Sequence, residues 1–370
     1  MGRLKAWLGR RGKGAAQAIA GVAVAVLTAV GVYAPNFDRH DDVAFPDPLP
    51  EAFTPYVALG DSYSAGEGLP EYFPGTGEPD YTSADRNRCH RSIESAYGAI
   101  LGVTDGFRAC SGALLGNMFG PQDGVPPQLG QEPEPDVKTV TITISGNDAG
   151  FSKIVTFCAI KLSCLDTLSW KPPDGGDERT IRAYATRRIR ELDETLLPTF
   201  YTALRAHFPA ARILVLGYPQ LFAVGSDFAE QRFCQKAYRT FSQPERSGFR
   251  DLQRQYNGVI EQRARAAGLE YIEVADAFEG HETCGPKGPW LAFVKDAIRE
   301  LESFSKSGGV DAGNFHPTAS GQGMFARLVH CYLAINPNPP GGALPPHGNA
   351  GDAVYDCATT DLTEPPDAGV

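Results

Sequence analysis

The sequence predicts a layered α/β domain in which helices cover a mostly parallel sheet. Short apolar runs rich in β-branched residues recur along the chain and alternate with stretches of helical period. The runs are largely hydrophobic on both faces, which is typical of strands buried on both sides. The predicted strands are Tyr56–Leu59, Val140–Ile144, Arg212–Leu216 and Tyr271–Val274.

Three stretches carry the apolar spacing of helices: Thr180–His207, Gly248–Ala267 and Ala319–Leu333. A chain of 370 residues, 42% of them hydrophobic, can bury a sizeable core. We expect one main domain over residues 55–335, preceded by a Pro- and Asp-rich linker at 35–54. A Pro- and Gly-rich extension follows at 336–370, and a Cys331–Cys357 pair could attach it to the last helix.

Residues 1–34 have the composition of an export signal. Basic residues between positions 3 and 13 precede an uncharged run at 14–34. This run is long enough to be either a cleaved signal peptide or a retained membrane anchor. We favour cleavage near Ala34, because Val32-Tyr33-Ala34 offers a small-residue site. The prediction is a secreted or extracytoplasmic protein.

Cysteine content and charge narrow the class further. The even number of cysteines, all beyond the export signal, favours disulfides formed in an oxidising compartment. They lack the paired spacing of a zinc site, so no metal is predicted. A net charge of −10 disfavours nucleic acid as a partner. The cysteines are Cys89, Cys110, Cys158, Cys164, Cys234, Cys284, Cys331 and Cys357.

Polar segments follow the first two predicted strands and precede the last predicted helix. They contain Ser62, Asn147 and His316 respectively. Each alone could be a helix cap or a turn residue. Together they supply a nucleophile, a base that activates it and a donor for an oxyanion, at the edge of the sheet where ligands bind.

Four motifs in order, GDSYSAGEG, ACSGA, ISGND and FHPTASG, give the chain a family likeness. It resembles the SGNH (GDSL-like) hydrolases over roughly residues 55–335, and is most similar to secreted actinobacterial lipases and esterases with three disulfides. The resemblance implies a flavodoxin-like three-layer α/β/α sandwich. It implies Ser62 as nucleophile, His316 as base, and an oxyanion hole formed by Ser62, Gly112 and Asn147.

The same resemblance implies the pairings Cys89–Cys110, Cys158–Cys164 and Cys234–Cys284. By tethering the loop that carries Gly112, the first pair is expected to support the oxyanion hole.

Two positions depart from the family pattern. Ser145 stands where the third motif usually has glycine. Gly313 stands where many members have an aspartate that orients the histidine. Some secreted relatives use a backbone carbonyl there, so the carbonyl of Gly313 is the first candidate orienter. Asp311 is the second, and it could equally be a solvated loop acid.

We therefore predict an exported serine ester hydrolase, a lipase or carboxylesterase, that works through an acyl-enzyme without a cofactor. A phospholipase, a polysaccharide deacetylase and a non-catalytic cell-surface binding module are the alternatives. The expected partner is a small-molecule or lipid ester, and the protein is expected to be a monomer that touches a membrane only through an uncleaved N-terminal segment. The loops at 69–85 and 166–178 are expected to form the groove wall.

Overall fold

The computed structural model describes residues 43–69, 71–72, 89–122, 124–160, 163–168, 170–224, 241–292, 315–337 and 349–360. All of these residues belong to one compact unit of the chain, formed by residues 41–293 and 312–370. The unit is built around a parallel sheet whose strands follow one another in the order β1-β2-β3-β4. The strands are Tyr56–Gly60, Thr139–Thr143, Arg212–Leu216 and Glu270–Ile272.

These four strands confirm the predicted ones to within one or two residues at each end. Every residue of the four is buried, as expected for strands covered on both faces.

A further segment extends the sheet beyond β1. Residues 106–110 run beside β1 and form a parallel bridge between Phe107 and Ala58. Ala58 donates to Gly106 O at 3.0 Å, and Cys110 donates to Gly60 O at 3.0 Å. The segment follows β1 in the chain but lies on the side of β1 away from β2. If it is counted as the second strand along the chain, the order of the strands across the sheet is second, first, third, fourth, fifth. This is the flavodoxin-like order that the family resemblance implies.

Helices cover the sheet in two groups, so the fold is the three-layer sandwich expected. Helices α4, α5 and α6 pack together, α2, α7 and α8 form a second group, and β4 contacts both α6 and α7. The helices are α1 (Ser62–Ala65), α2 (Tyr97–Ile100), α3 (Phe151–Ile160), α4 (Ile181–Glu191), α5 (Leu197–His207), α6 (Gln243–Ala266), α7 (Ala319–Ile335) and α8 (Asn349–Thr359). Short 3₁₀ turns span Glu51–Phe53, Leu115–Met118 and Asp276–Phe278. Within the described residues, no helix is both long and apolar enough to cross a membrane.

The predicted helix Thr180–His207 begins and ends as expected but is not regular. It contains a π-helical turn, Leu192–Leu196, in which Leu197 N–H bonds to Leu192 O. Pro198 follows at the start of α5. Proline has no N–H to donate and its ring collides with the carbonyl four residues earlier, so a widened turn lets the helix continue past it.

Both appendages of the predicted domain contain more structure than their composition suggests. In the predicted linker, Val43 and Leu49 are buried, and Leu49 N donates to Leu101 O at 3.0 Å. In the predicted extension, α8 packs on α7. Isolated apolar residues anchor both segments, and a local reading of Pro and Gly content misses such long-range contacts.

Three predicted disulfides lie within the described residues: Cys89–Cys110, Cys158–Cys164 and Cys331–Cys357. Cys284 is also disulfide-bonded. Cys234 lies outside the described residues, so the Cys234–Cys284 pairing stays a prediction. Disulfides are typical of proteins outside the reducing cytoplasm, and those of this chain fit an extracellular protein.

Candidate active site

Ser62 lies in a turn that only glycine can form. At Gly60, φ is +128° and an added Cβ would stand 2.2 Å from Thr143 O on the neighbouring strand, so the chain can leave β1 here only without a side chain. Asp61 then caps α1, its carboxylate accepting from Tyr63 N at 3.0 Å. Ser62 is therefore the first residue of α1, directly beyond the carboxyl end of β1.

His316 is held by contacts on both sides. Residues 290–292 lie beside the backbone of His316. Ala292 N donates to His316 O and Phe315 N donates to Ala292 O, both at 2.7 Å. On the other side, Tyr63 OH donates to Phe315 O at 2.7 Å, and the Tyr63 ring lies 5.1 Å from the imidazole. The position of His316 is thus tied to the residue that follows Ser62.

Ser62 and His316 form a hydrogen-bonded pair. His316 Nε2 and Ser62 Oγ are 2.7 Å apart across 254 residues of sequence. This is the distance at which an imidazole can accept the hydroxyl proton of a serine nucleophile. Ser62 is only 9% exposed, so its hydroxyl faces the interior of a cavity rather than open solvent.

Asn147 and Gly112 lie on neighbouring loops beside this pair. Asn147 lines the same cavity as Ser62 and His316. Its amide Nδ2 donates one hydrogen to Ala113 O at 3.1 Å, which joins it to the loop of Gly112 and leaves its second hydrogen to donate. Within the described part of the chain, the N–H groups of Ser62 and Gly112 have no hydrogen-bond acceptor.

Tyr218 connects the turns after three strands, although it lies in no recognised motif. Its hydroxyl donates to Asp61 Oδ2 at 2.5 Å and accepts from Gly146 N at 3.1 Å. Burial raises the pKa of Asp61 to about 7, against the lowering effect of the hydrogen bond from Tyr218. Tyr218 follows β3 as Ser62 follows β1, so its place after a strand was the available signal.

The two candidates for orienting His316, Gly313 and Asp311, lie outside the described residues. Their roles stay predictions.

An apolar cavity opens from the Ser62–His316 pair. Its volume is ≈ 90 Å³, and its far walls come from helices α3, α4 and α6 and from the segment after β3. The described residues of the predicted wall loops at 69–85 and 166–178 do not line it. Residues 70, 73–85 and 169 of these loops lie outside the described residues, so the prediction for them stays a prediction. The apolar residues of the wall are Ala149, Phe151, Ile154, Ala185, Ile189, Leu221, Phe249 and Leu252.

One group of metal-type ligands lies close together in the described residues. It consists of Cys158, Cys164 and Glu245. The two sulfurs form a disulfide, so neither is a thiolate that could bind zinc.

A parallel α/β sheet with a serine–imidazole pair at the carboxyl ends of its strands defines a hydrolase of the serine type. The chain belongs to the GDSL-like lipase/acylhydrolase family, whose model matches residues 58–324. It is a carboxylic ester hydrolase, as the family and the relatives described next indicate.

The relatives include two curated lipases. The chain is 30% identical to a lipase of Streptomyces rimosus over 73% of its own length and 82% of that protein. It is 31% identical to Lipase 1 of Streptomyces coelicolor over 74% of its own length and 88% of that protein.

Two crystal structures are similar as well. An extracellular lipase from Streptomyces rimosus has a TM-score of 0.51 and 29% identity, and the match covers 72% of this chain and 94% of that one. A phospholipase A1 from Streptomyces albidoflavus has a TM-score of 0.51 and 27% identity, and the match covers 74% of this chain and 97% of that one.

Proposed function

We propose that Ser62 is the nucleophile and His316 the general base of a two-step ester hydrolysis. The observation that carries the proposal is the 2.7 Å contact between Ser62 Oγ and His316 Nε2, at the mouth of an apolar cavity. Ser62 Oγ attacks the ester carbonyl while Nε2 takes its proton, and Nε2 then gives that proton to the departing alcohol. Water attacks the acyl-enzyme in the second step, with His316 again as base.

The tetrahedral intermediate places a negative charge on the former carbonyl oxygen. We assign three donors to it: the N–H of Ser62, the N–H of Gly112 and the free amide hydrogen of Asn147. Donors fixed in place before the reaction stabilise the developing charge without reorganisation during the step. The imidazolium that forms on His316 is oriented by the carbonyl of Gly313 in this proposal.

The wall of the cavity supports a fatty acyl group as the part of the substrate that binds there. Among the described residues, eight apolar side chains cover the space beyond Ser62, far more than an acetyl group would contact. A lipidic carboxylic ester therefore fits better than an acetylated polysaccharide. The similar phospholipase A1 makes a phospholipid ester the second candidate, since the same cavity would hold its acyl chain.

Replacing either member of the pair tests the mechanism. We expect Ser62→Ala and His316→Ala each to lower kcat for p-nitrophenyl butyrate by at least about a thousandfold, because the nucleophile and its base act as one unit. A serine-directed phosphonate should label Ser62, as peptide mass spectrometry would show. Ser247→Ala, exposed on α6, serves as a control for the loss of a hydroxyl.

Wild-type hydrolysis by Ser62→Ala, or labelling of another serine, would overturn the proposal. Asp311→Asn tests the orienter separately. We expect it to keep most of the activity, and a loss as large as that of His316→Ala would assign the role to Asp311.

We also propose that the protein is exported and cleaved near Ala34. The basic residues before position 14, the uncharged run at 14–34 and the disulfides support this. Mass spectrometry of the protein recovered from the medium should find an N-terminus close to residue 35. Recovery of full-length chain in the membrane fraction alone would identify residues 14–34 as an anchor instead.

A further inference from the structure

A buried carboxylate lies between α1 and the loop that carries Gly112, and the mechanism above does not use it. Glu67 is only 5% exposed. Its two oxygens lie 2.9 and 2.7 Å from His90 Nδ1, and one of them also accepts a short hydrogen bond from Ser111 Oγ. Ser111 is the residue directly before Gly112, so Glu67 is bonded directly to the loop that carries this proposed oxyanion donor, here named the oxyanion loop.

The charges around Glu67 keep it ionised despite its burial. Burial alone raises the pKa of Glu67. The hydrogen bond from His90 and the positive charges that His90 and His316 can carry lower this pKa by more than burial raises it, so the net pKa lies below the ordinary value. An ionised carboxylate accepts hydrogen bonds and does not donate them. The Ser111 hydroxyl must therefore donate to Glu67, which fixes the Ser111 side chain in one direction.

Gln122 holds the same residue from its backbone. Gln122 Nε2 donates to Ser111 O at 2.7 Å, and Ser111 N donates to Cys89 O at 3.1 Å. In a planar trans peptide, the carbonyl of Ser111 and the N–H of Gly112 point in opposite directions. Fixing the carbonyl of Ser111 against Gln122 therefore also fixes the direction of the Gly112 N–H.

This peptide needs such support because little else packs on it. Gly112 is exposed and has φ of +76°, and a Cβ added there would meet only Gln122, at 3.6 Å. Glycine in an exposed loop can rotate its peptide at low cost. A rotated peptide would aim a carbonyl oxygen, instead of a donor, at the oxyanion.

We propose that Glu67 and Gln122 are positioning residues that lock the Ser111–Gly112 peptide with its N–H directed at the oxyanion. The inference rests on the proposed role of Gly112. Neither side chain touches the substrate. Glu67 acts through the Ser111 hydroxyl and Gln122 acts through the Ser111 carbonyl.

The expected signature is a loss of kcat with little change in KM. A single oxyanion donor is worth roughly a hundred- to a thousandfold in kcat, and a misdirected donor loses part of that. We expect Ser111→Ala, Glu67→Ala and Gln122→Leu each to lower kcat for p-nitrophenyl butyrate by about 10- to 100-fold. KM should stay within about threefold, since the donor acts mainly in the transition state.

Two further variants separate positioning from general loss of stability. Glu67→Gln keeps an acceptor for the Ser111 hydroxyl and should retain kcat within about fivefold. Glu270→Gln removes another buried carboxylate, the partner of Arg212 at the amino ends of the strands, far from Ser62. It should lower the thermal midpoint and leave kcat unchanged.

A double-mutant cycle gives the sharpest test. If Glu67 acts through Ser111, the Glu67→Ala/Ser111→Ala double variant should be no slower than the slower single variant. Multiplicative losses, wild-type kcat in Ser111→Ala or Gln122→Leu, or losses confined to KM would each overturn the positioning roles. Full activity of Ser62→Ala would overturn the proposed function instead, so the two failures are distinguishable.

Discussion

Asp61 carries a buried carboxyl directly before the proposed nucleophile, and the fold favours its protonated form. Burial raises its pKa from the ordinary 3.8 to about 7. The folded protein therefore binds this proton more tightly than the unfolded chain does. The stabilisation is complete below about pH 4 and is lost as the pH rises toward 7, so Asp61 makes the free energy of unfolding fall across that window.

Asp61→Asn should flatten this pH dependence. Asparagine caps a helix as well as aspartate does and carries no charge, so the cap on Tyr63 N survives. We expect the unfolding free energy of the variant, relative to wild type, to rise between pH 4 and pH 7, as urea denaturation at several pH values would measure. Because burial also raises the pKa of Asp148, to about 6, only the difference between the two proteins is informative.

Asp105→Asn, an exposed substitution, controls for the loss of one charge. Parallel pH curves for wild type and Asp61→Asn would show that Asp61 titrates alike in the folded and unfolded states, contrary to this prediction.

Ser145 shows how one departure from the family pattern is accommodated. Its φ is +89°, in the left-handed region that glycine adopts freely and that costs other residues roughly 1–2 kcal/mol. Its hydroxyl forms a 2.8 Å hydrogen bond with Tyr256 OH in the interior, which offsets part of that cost. The turn that presents Asn147 is therefore kept without the usual glycine.

Motifs pointed to the residues proposed to react but not to the side chains that hold them in place. Ser62, Asn147 and His316 stand in short patterns with fixed chemistry. Tyr218 reaches Asp61 across 157 residues and Tyr63 reaches Phe315 across 252, and no local pattern marks such contacts. The supporting tyrosines become visible only when the strands bring distant turns together.

At the scale of elements, two disulfides of similar loop length have different surroundings. Cys89–Cys110 closes 21 residues and ends next to Ser111, while Cys331–Cys357 closes 26 residues and ties α8 to α7. The loop-entropy model gives each about 3 kcal/mol of stabilisation. Only the first is attached to the proposed oxyanion loop.

Removing the two disulfides in turn should separate stability from activity. We expect Cys89→Ser/Cys110→Ser and Cys331→Ser/Cys357→Ser to lower the thermal midpoint by similar amounts. Only the first pair should also lower kcat, by about tenfold, because it frees the loop that directs the Gly112 N–H. Melting curves and kinetics at a temperature where both variants are folded would check this, and equal kcat in both would contradict it.

Helices were predicted where the apolar periodicity extends over many residues, and they were missed where the helix is short. The amphipathic stretch that became α6 was found, although its first five residues were not, because Pro244 at its start reads locally as a break. The π turn before Pro198 and the helix α8 depend on packing against neighbouring elements, which apolar periodicity does not report.

At the scale of the whole molecule, the sheet was predictable because a parallel sheet is apolar on both faces. The strands are rich in hydrophobic and β-branched residues and are buried throughout, and they were recognised almost residue by residue. The segment at 106–110 was not recognised, since it pairs on one side of β1 and contains Gly106 and Arg108. Yet it completes the flavodoxin-like order and carries the chain from the edge of the sheet to Ser111 and Gly112.

The layered architecture also explains where the proposed acyl cavity lies. Strands β1 and β2 end at Gly60 and Thr143, just before Ser62 and Gly146, and the helices on one face of the sheet extend beyond them. A space lined by helices therefore opens beside Ser62. The wall loops predicted from the sequence lie partly outside the described residues, where that expectation stays a prediction; the described walls lie mainly on helices. Side chains from well-packed helices form them, so single substitutions can change the shape of the cavity without disturbing the pair.

This placement predicts a dependence on acyl length that one substitution should shift. Each methylene buried in the cavity contributes about 0.8 kcal/mol, so kcat/KM should rise about fourfold per methylene from acetyl esters until the cavity is full. Ala185→Phe places a ring in the cavity and should abolish the rise while leaving acetyl ester hydrolysis unchanged. Ala183→Phe, exposed on the same helix, is the matched control. Kinetics on p-nitrophenyl esters of increasing length would measure both, and an unchanged profile in Ala185→Phe would mean that the acyl chain binds elsewhere.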